Sequence, residues 1–203
     1  MADAAAEIGL ARHFETDWNA LRLLQGRTDR PLTDAARARA TALALPPPWD
    51  AARLVASPLS RARDTARLLA GRAPEEEPAL IELSWGDWEG RRGEDLLADP
   101  TSGYEHVEHW GWDKAPPGGG ESPAAALARI GPALAALAAD GRRTLVVTHR
   151  GVMRVILAKA WGWDFDRPEP FRIKRERIYP VTLAADGTPV AAGDPARMFE
   201  AEP

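Results

Sequence analysis

Two spacings of apolar residues run along this chain, and each predicts its own kind of element. Ile8-Gly9-Leu10-Ala11 is a short, nearly continuous apolar run of the length of a buried strand. A polar loop fills 14–32. Thr33 then stands where an N-cap would, predicting a helix over 34–45 that stops at Pro46-Pro47-Pro48. Leu54-Val55-Ala56 is a second short run, closed by Ser57-Pro58. After it, Ser60 reads as the cap of a helix with Ala62, Ala66 and Leu69 on one face and Gly71 at its end. Ser122-Pro123 opens a later helix, with Leu127, Ile130, Leu134 and Leu137 at helical spacing and a kink expected at Gly131-Pro132. A strand over 144–148 leads into a helix over 151–161, and Ile178 to Leu183, followed by Asp186-Gly187, reads as a final strand and turn.

Strands alternating with helices predict a three-layer α/β/α sandwich with a mostly parallel central sheet. In such sheets ligands bind beyond the carboxyl ends of the strands. We read 1–203 as a single domain. Its Gly- and Pro-rich stretch at about 91–120, with Trp110 and Trp112, is expected to pass over the site with both indoles partly exposed.

Composition narrows the function. At 45% hydrophobic residues the chain carries enough apolar material for a core. A net charge of −4 gives no reason to expect a nucleic-acid or membrane-surface partner. Without cysteine there is no disulfide, no thiolate metal site and no cysteine nucleophile. No apolar run approaches the ~18–20 residues that span a bilayer, and residues 1–7 lack a signal peptide's apolar region, so a cytoplasmic setting is expected.

The chemistry collects at strand ends. The first strand runs into Arg12-His13 and the 144–148 strand into His149-Arg150, and charged groups in such places are costly unless they serve a site. Arg12 and Arg61 offer planar forks that match phosphate oxygens, and Arg61 lies in a first helical turn, where free N–H groups favour an anion. A neutral His13 can attack phosphorus, His149 can donate to a phosphoryl oxygen, and Glu82 is the carboxylic acid placed to protonate a leaving group. Glu89, seven residues on, competes for that last role. Together these residues describe phosphoryl transfer through a phosphohistidine with no metal and no cofactor. His106 and His109 have the spacing of a metal pair, but two histidines with no further ligand pattern read as loop residues.

The order of these motifs resembles the histidine phosphatase superfamily, also called the phosphoglycerate-mutase-like family. Arg12-His13-Phe14-Glu15-Thr16 with Trp18-Asn19, then Leu24-Gln25-Gly26-Arg27 and Pro31-Leu32-Thr33, resemble its opening and the following loop. Ser57-Pro58-Leu59-Ser60-Arg61-Ala62, the segment from Glu82 to Gly90, Pro117-Gly118-Gly119-Gly120-Glu121-Ser122 and Val147-Thr148-His149 follow in the family's order. The resemblance implies His13 as nucleophile, Glu82 as proton donor, and Arg12, Arg61 and His149 as phosphate pocket. Asn19, Thr16, Gln25 and Gly26 would contact the substrate, a small phosphorylated metabolite. Two positions depart from the pattern, since the family usually has glycine where Phe14 and Arg150 stand. Phe14 would narrow the mouth or pack away from it. Arg150 is expected to contact the phosphoryl group or a second anionic group of the substrate. The short span from Gly90 to Glu121 favours a phosphatase over a cofactor-dependent phosphoglycerate mutase, because a small cover excludes water less well. The two replaced glycines leave a third reading, a phospho-ligand binding protein with impaired catalysis.

Overall fold

The computed structural model describes residues 4–201. Strand β1 (Ala4–Arg12) leads through the short helix α1 (Asp17–Ala20), inside the stretch expected as loop, to α2 (Asp34–Thr41). Then come β2 (Leu43–Ala44), β3 (Arg53–Ala56), α3 (Ser60–Ala70), β4 (Glu75–Glu76) and α4 (Gly93–Ala98). The second half holds α5 (Pro123–Asp140), β5 (Thr144–Thr148), α6 (Arg150–Trp161), β6 (Arg177–Ala184), β7 (Pro189–Ala192), β8 (Ala196–Arg197) and β9 (Phe199–Glu200).

The main sheet has the order β4-β3-β5-β1-β6-β7, with β8 also on β6. Its β4-β3-β5-β1 half is parallel, and β6 joins β1 antiparallel. Side chains alternate cleanly between the two faces, as the pleat requires. Ile8, Leu10, Val55, Val146 and Val181 enter a core with α5 and α6, while Ala11, Leu54, Leu145, Val147 and Ile178 enter a second core with α2 and α3. Helices on both faces make the expected three layers. No helix among the described residues is long and apolar enough to cross a membrane.

Several boundaries differ from expectation. Helix α2 ends at Thr41 rather than 45, because Leu43 and Ala44 leave to pair with Phe199 and Glu200 of β9. Nothing local signals that pairing. Ser60 is the first helical residue of α3 and not its cap; Asp29, from the loop before α2, receives both the Ser60 N–H and its hydroxyl. Helix α5 continues through Pro132 without a break. Strand β6 is not the last, since β7, β8 and β9 follow its turn.

The stretch over the site is tied down at one tight point. Gly86 has φ +50°, and a Cβ there would lie 1.9 Å from the Pro117 carbonyl oxygen, which accepts the Asp87 N–H at 2.9 Å. The glycine-rich turn at 118–120 is thereby locked to the segment that follows Glu82. Trp110, expected partly exposed, is buried, packed edge-on against Trp85 with ring centroids 5.5 Å apart.

Gly9 sits mid-strand where the sheet meets Trp49. A Cβ added there would stand 2.6 Å from both Ile178 and Trp49. Gly9→Ala should therefore destabilise the protein by about 1–3 kcal/mol, the usual cost of overpacking a core. Urea unfolding midpoints at constant m-value check this; an unchanged midpoint would mean Trp49 yields freely.

Candidate active site

The parallel register of β1 and β5 sets Arg12 beside Thr148, and the His13 N–H continues the ladder to the Thr148 carbonyl at 2.9 Å. The next residue of each strand is a histidine, and their rings lie 5.2 Å apart. Both are buried. His13 Nδ1 lies 2.6 Å from the Phe14 carbonyl, a contact that requires the proton on Nδ1 and leaves Nε2 as a bare lone pair. His149 has the opposite tautomer: Nδ1 accepts from Arg61 Nε at 3.2 Å, and Nε2–H faces the Ser57 hydroxyl at 2.7 Å. Burial first, then the neighbouring arginines, hold both imidazoles well below the ordinary histidine range. They are neutral at pH 7.

A cavity of about 490 Å³ opens in front of His13. Of the residues predicted from sequence, Arg12, Asn19, Gln25, Glu82 and Arg150 line it with His13. Arg61, His149, Thr16 and Gly26 stand behind its wall. Arg61 spends three of its five N–H groups on the Gly26 and Thr28 carbonyls and on His149. Thr16 donates to Gln25 Oε1, as does the Asn19 amide, so the Gln25 carbonyl is saturated from behind. Phe14 does pack away from the mouth, into the core under α2 and α3, and its N–H reaches Thr65.

Glu82 follows a 3-10 turn at Pro78–Leu80 and is not at a strand end. Its carboxyl group accepts the N–H groups of Gly151 and Val152, at 3.0 and 3.2 Å, so it caps the start of α6 immediately after His149. A Cβ on Gly151 would lie 2.5 Å from Glu82 Oε1, which is why the backbone can approach so closely. Burial pushes the Glu82 carboxyl upward, against the pull of those N–H groups. Glu89 does different work: it accepts from the N–H groups of Arg27 and Thr28 and pins that loop, away from the cavity. Among the described residues no cluster of three or more His, Cys, Asp or Glu side chains is arranged for a metal ion; His106 lines the cavity without His109.

Sequence reasoning missed Arg175. It donates to the Asn19 side-chain oxygen at 2.7 Å and to the His13 carbonyl at 3.3 Å, and it lines the cavity. A usable signal was present. Because β6 is antiparallel to β1, with Ile178 opposite Ala11, the residues just before β6 must arrive at the carboxyl end of β1. Arg154 and Glu169 were missed as well; they pair through both carboxylate oxygens at 3.1 Å.

Two buried side-chain polar atoms among the described residues lack a hydrogen-bond partner, Arg12 Nε and Gln25 Nε2. Both are donors on residues that line the cavity. Burial, then the charges of Arg175 and Arg150, lowers Arg12 to about 9. Orphaned donors within crowded positive charge are complementary to an anion.

The sequence model of the histidine phosphatase superfamily (branch 1) matches residues 8–192. An adenosylcobalamin/alpha-ribazole phosphatase from Salmonella typhimurium is 35% identical over 160 residues, 74% of this chain and 77% of that protein. A metal-independent phosphoserine phosphatase from Arabidopsis thaliana is 35% identical over 161 residues, 74% of this chain and 66% of that protein. Among solved structures, a phosphoglycerate mutase from Thermus thermophilus superposes with a TM-score of 0.68 at 34% identity, covering 88% of this chain and 96% of that one.

Neutral buried histidines make stability depend on pH. Their folded pKa values lie below 6.5, so the unfolded chain takes up protons that the native state refuses, and stability falls as pH drops below about 6.5. Each should contribute a slope of about 1.4 kcal/mol per pH unit there. Glu82, with its pKa raised, acts oppositely and offsets part of this where the windows overlap. Thermal midpoints should therefore decline from pH 7 to 5.5, and less steeply in His149→Gln. A flat profile would place charged imidazoles in the native state.

Proposed function

Since the chain belongs to the histidine phosphatase superfamily, we propose that it is a metal-independent phosphomonoester phosphatase acting on a small phosphorylated metabolite through a phosphohistidine. The observation that carries this reading is the pair of orphaned donors, Arg12 Nε and Gln25 Nε2, on two residues that line one cavity with His13, whose Nε2 has no hydrogen-bond partner.

In this reading the phosphoryl oxygens settle on Arg12, Gln25 and Arg175. His13 Nε2 attacks phosphorus as the bond to the ester oxygen breaks, and Nδ1–H stays on the Phe14 carbonyl while the ring gains positive character. Glu82, whose pKa burial raises, is the acid in this reading and gives its proton to the departing alkoxide. The resulting carboxylate takes a proton from water, which attacks the phosphohistidine, and inorganic phosphate leaves with His13 and Glu82 restored. Arg61 and His149 stand behind the wall, where the Arg61 charge and the His149 ring, 5.2 Å from His13, support the charge that builds on the phosphoryl group. The whole cycle balances without a metal or a cofactor.

A mutase is the second reading, favoured by the likeness to the Thermus thermophilus structure. In a mutase the phosphoryl group returns to a substrate hydroxyl rather than to water. Incubation with 3-phosphoglycerate separates the two: release of inorganic phosphate supports the phosphatase, whereas isomer exchange without release supports the mutase. The reading as a binding protein is weakened by Phe14, which leaves the mouth open.

His13→Ala should lose at least ~10³-fold in kcat, since a lost nucleophile is not restored by binding. Quenching the native protein with radiolabelled substrate should trap an acid-labile, base-stable label that His13→Ala lacks. Full activity in the variant, or a strict need for added divalent metal after chelation, would overturn the proposal.

Glu82→Gln should slow alkyl phosphates by roughly 10²–10⁴ and aryl phosphates much less, because aryl leaving groups need little protonation. Equal losses on both would assign Glu82 to capping α6 alone.

A further inference from the structure

Arg150 brings more positive charge to the cavity wall than the protein around it neutralises. It opens α6 directly after His149, about half its side chain is exposed (48%), and it lines the cavity. One turn further along, Arg154 holds both oxygens of Glu169 at 3.1 Å and is nearly buried. Arg150 reaches Glu169 through Nη2 alone, at 3.3 Å, on an oxygen that Arg154 already occupies. Two guanidinium groups thus share one carboxylate, which leaves one net positive charge, and Arg150 is the partner with the single contact and the greater exposure. The neighbouring backbone donors offer no alternative anchor, because Gly151 and Val152 both give their N–H to Glu82. Arg12 feels the charge of Arg150, so the two face one cavity.

A phosphoryl group at His13 is provided for without Arg150, by Arg12, Gln25 and Arg175. Arg150 makes no hydrogen bond to any of these three; its guanidinium is held at Glu169 instead, on the wall of the same cavity. We propose that the cavity selects phosphomonoesters carrying a second anionic group, a carboxylate or a second phosphate, and that Arg150 binds that group while Glu169, bridged to Arg154, fixes the guanidinium in place. The proposal rests on the phosphatase reading and adds the substrate class. A planar guanidinium tethered at one edge keeps its other edge free for bidentate recognition of an oxyanion. The cavity volume, about 490 Å³, is in the range that holds a small metabolite with both ends engaged.

The test uses straight-chain alkyl phosphates whose far end is a methyl, a carboxylate or a second phosphate, each in a shorter and a longer chain. Phosphate release is measured for the native protein, Arg150→Gln and Arg150→Lys. In the native protein at least one doubly anionic ester should exceed its methyl counterpart by roughly tenfold or more in kcat/KM, chiefly through KM. Whichever of the two far-end anions gains more identifies the group that Arg150 binds. Arg150→Gln should bring that ratio close to one, Arg150→Lys should keep much of it, and added salt should shrink it. A native ratio near one at both lengths overturns the proposal, as does a ratio undiminished in a folded Arg150→Gln. The native ratio decides by itself should that variant fail to fold. If the native protein releases phosphate from none of these esters, nor from p-nitrophenyl phosphate, the phosphatase reading falls instead, so the two failures are distinguishable.

Discussion

The pairing of β1 with β5 is the interaction on which the site depends. Both strands are buried on both faces, so the ladder is fixed by what each face must fill. Slipping it by one residue would turn every side chain to the opposite core and would move Gly9 from the one place where Trp49 and Ile178 leave no room for a side chain. In the native register both histidines leave their strands at the same level, and everything else at the site is arranged around that coincidence. Helix α6 starts at the second histidine, Glu82 caps α6, and Arg61 meets His149 from α3.

Charge follows from that placement. Two imidazoles so deeply buried and so near arginines stay neutral, which keeps the His13 Nε2 lone pair available. The arginines are less comfortable. Arg12 has a buried nitrogen without an acceptor and repels Arg175 and Arg150. The protein supplies only partial relief, through Glu15 at 3.7 Å from Arg175 and through Glu169. Under the proposed function a phosphoryl group would relieve this repulsion, so the crowding of positive charge would be the counterpart of affinity for it.

What could be read from the sequence divides by range. Strand β5, the Gly71 end of α3 and the Ser122-Pro123 start of α5 carry their signals within a few residues, and they appear where expected. Strand ends pointed to Arg12 and His13, and the order of the motifs to Glu82; the structure brings the three to one cavity. The end of α2 was not, since it depends on β9, and neither was the cap of α3, supplied by Asp29 from another loop. Arg175 and Glu169 come from the connection between α6 and β6, whose place at the site follows only once β6 is known to run antiparallel to β1. Trp110 was misjudged for a related reason: a loop reads as exposed until the cover it belongs to folds down on Trp85 and Trp88.

The central position of β1 also bears on how the protein comes into being. This strand leaves the ribosome well before its two neighbours in the sheet, residues 144–148 and 177–184. Until Ala184 has been synthesised, β1 has an open edge, and an apolar strand with unpaired N–H and C=O groups is a template for wrong partners. Assembly of the sheet therefore cannot proceed in step with translation, as it does where neighbouring strands are neighbours in sequence. The nascent chain must keep β1 waiting until both partners have been made, and demand for chaperones should fall most heavily on that interval.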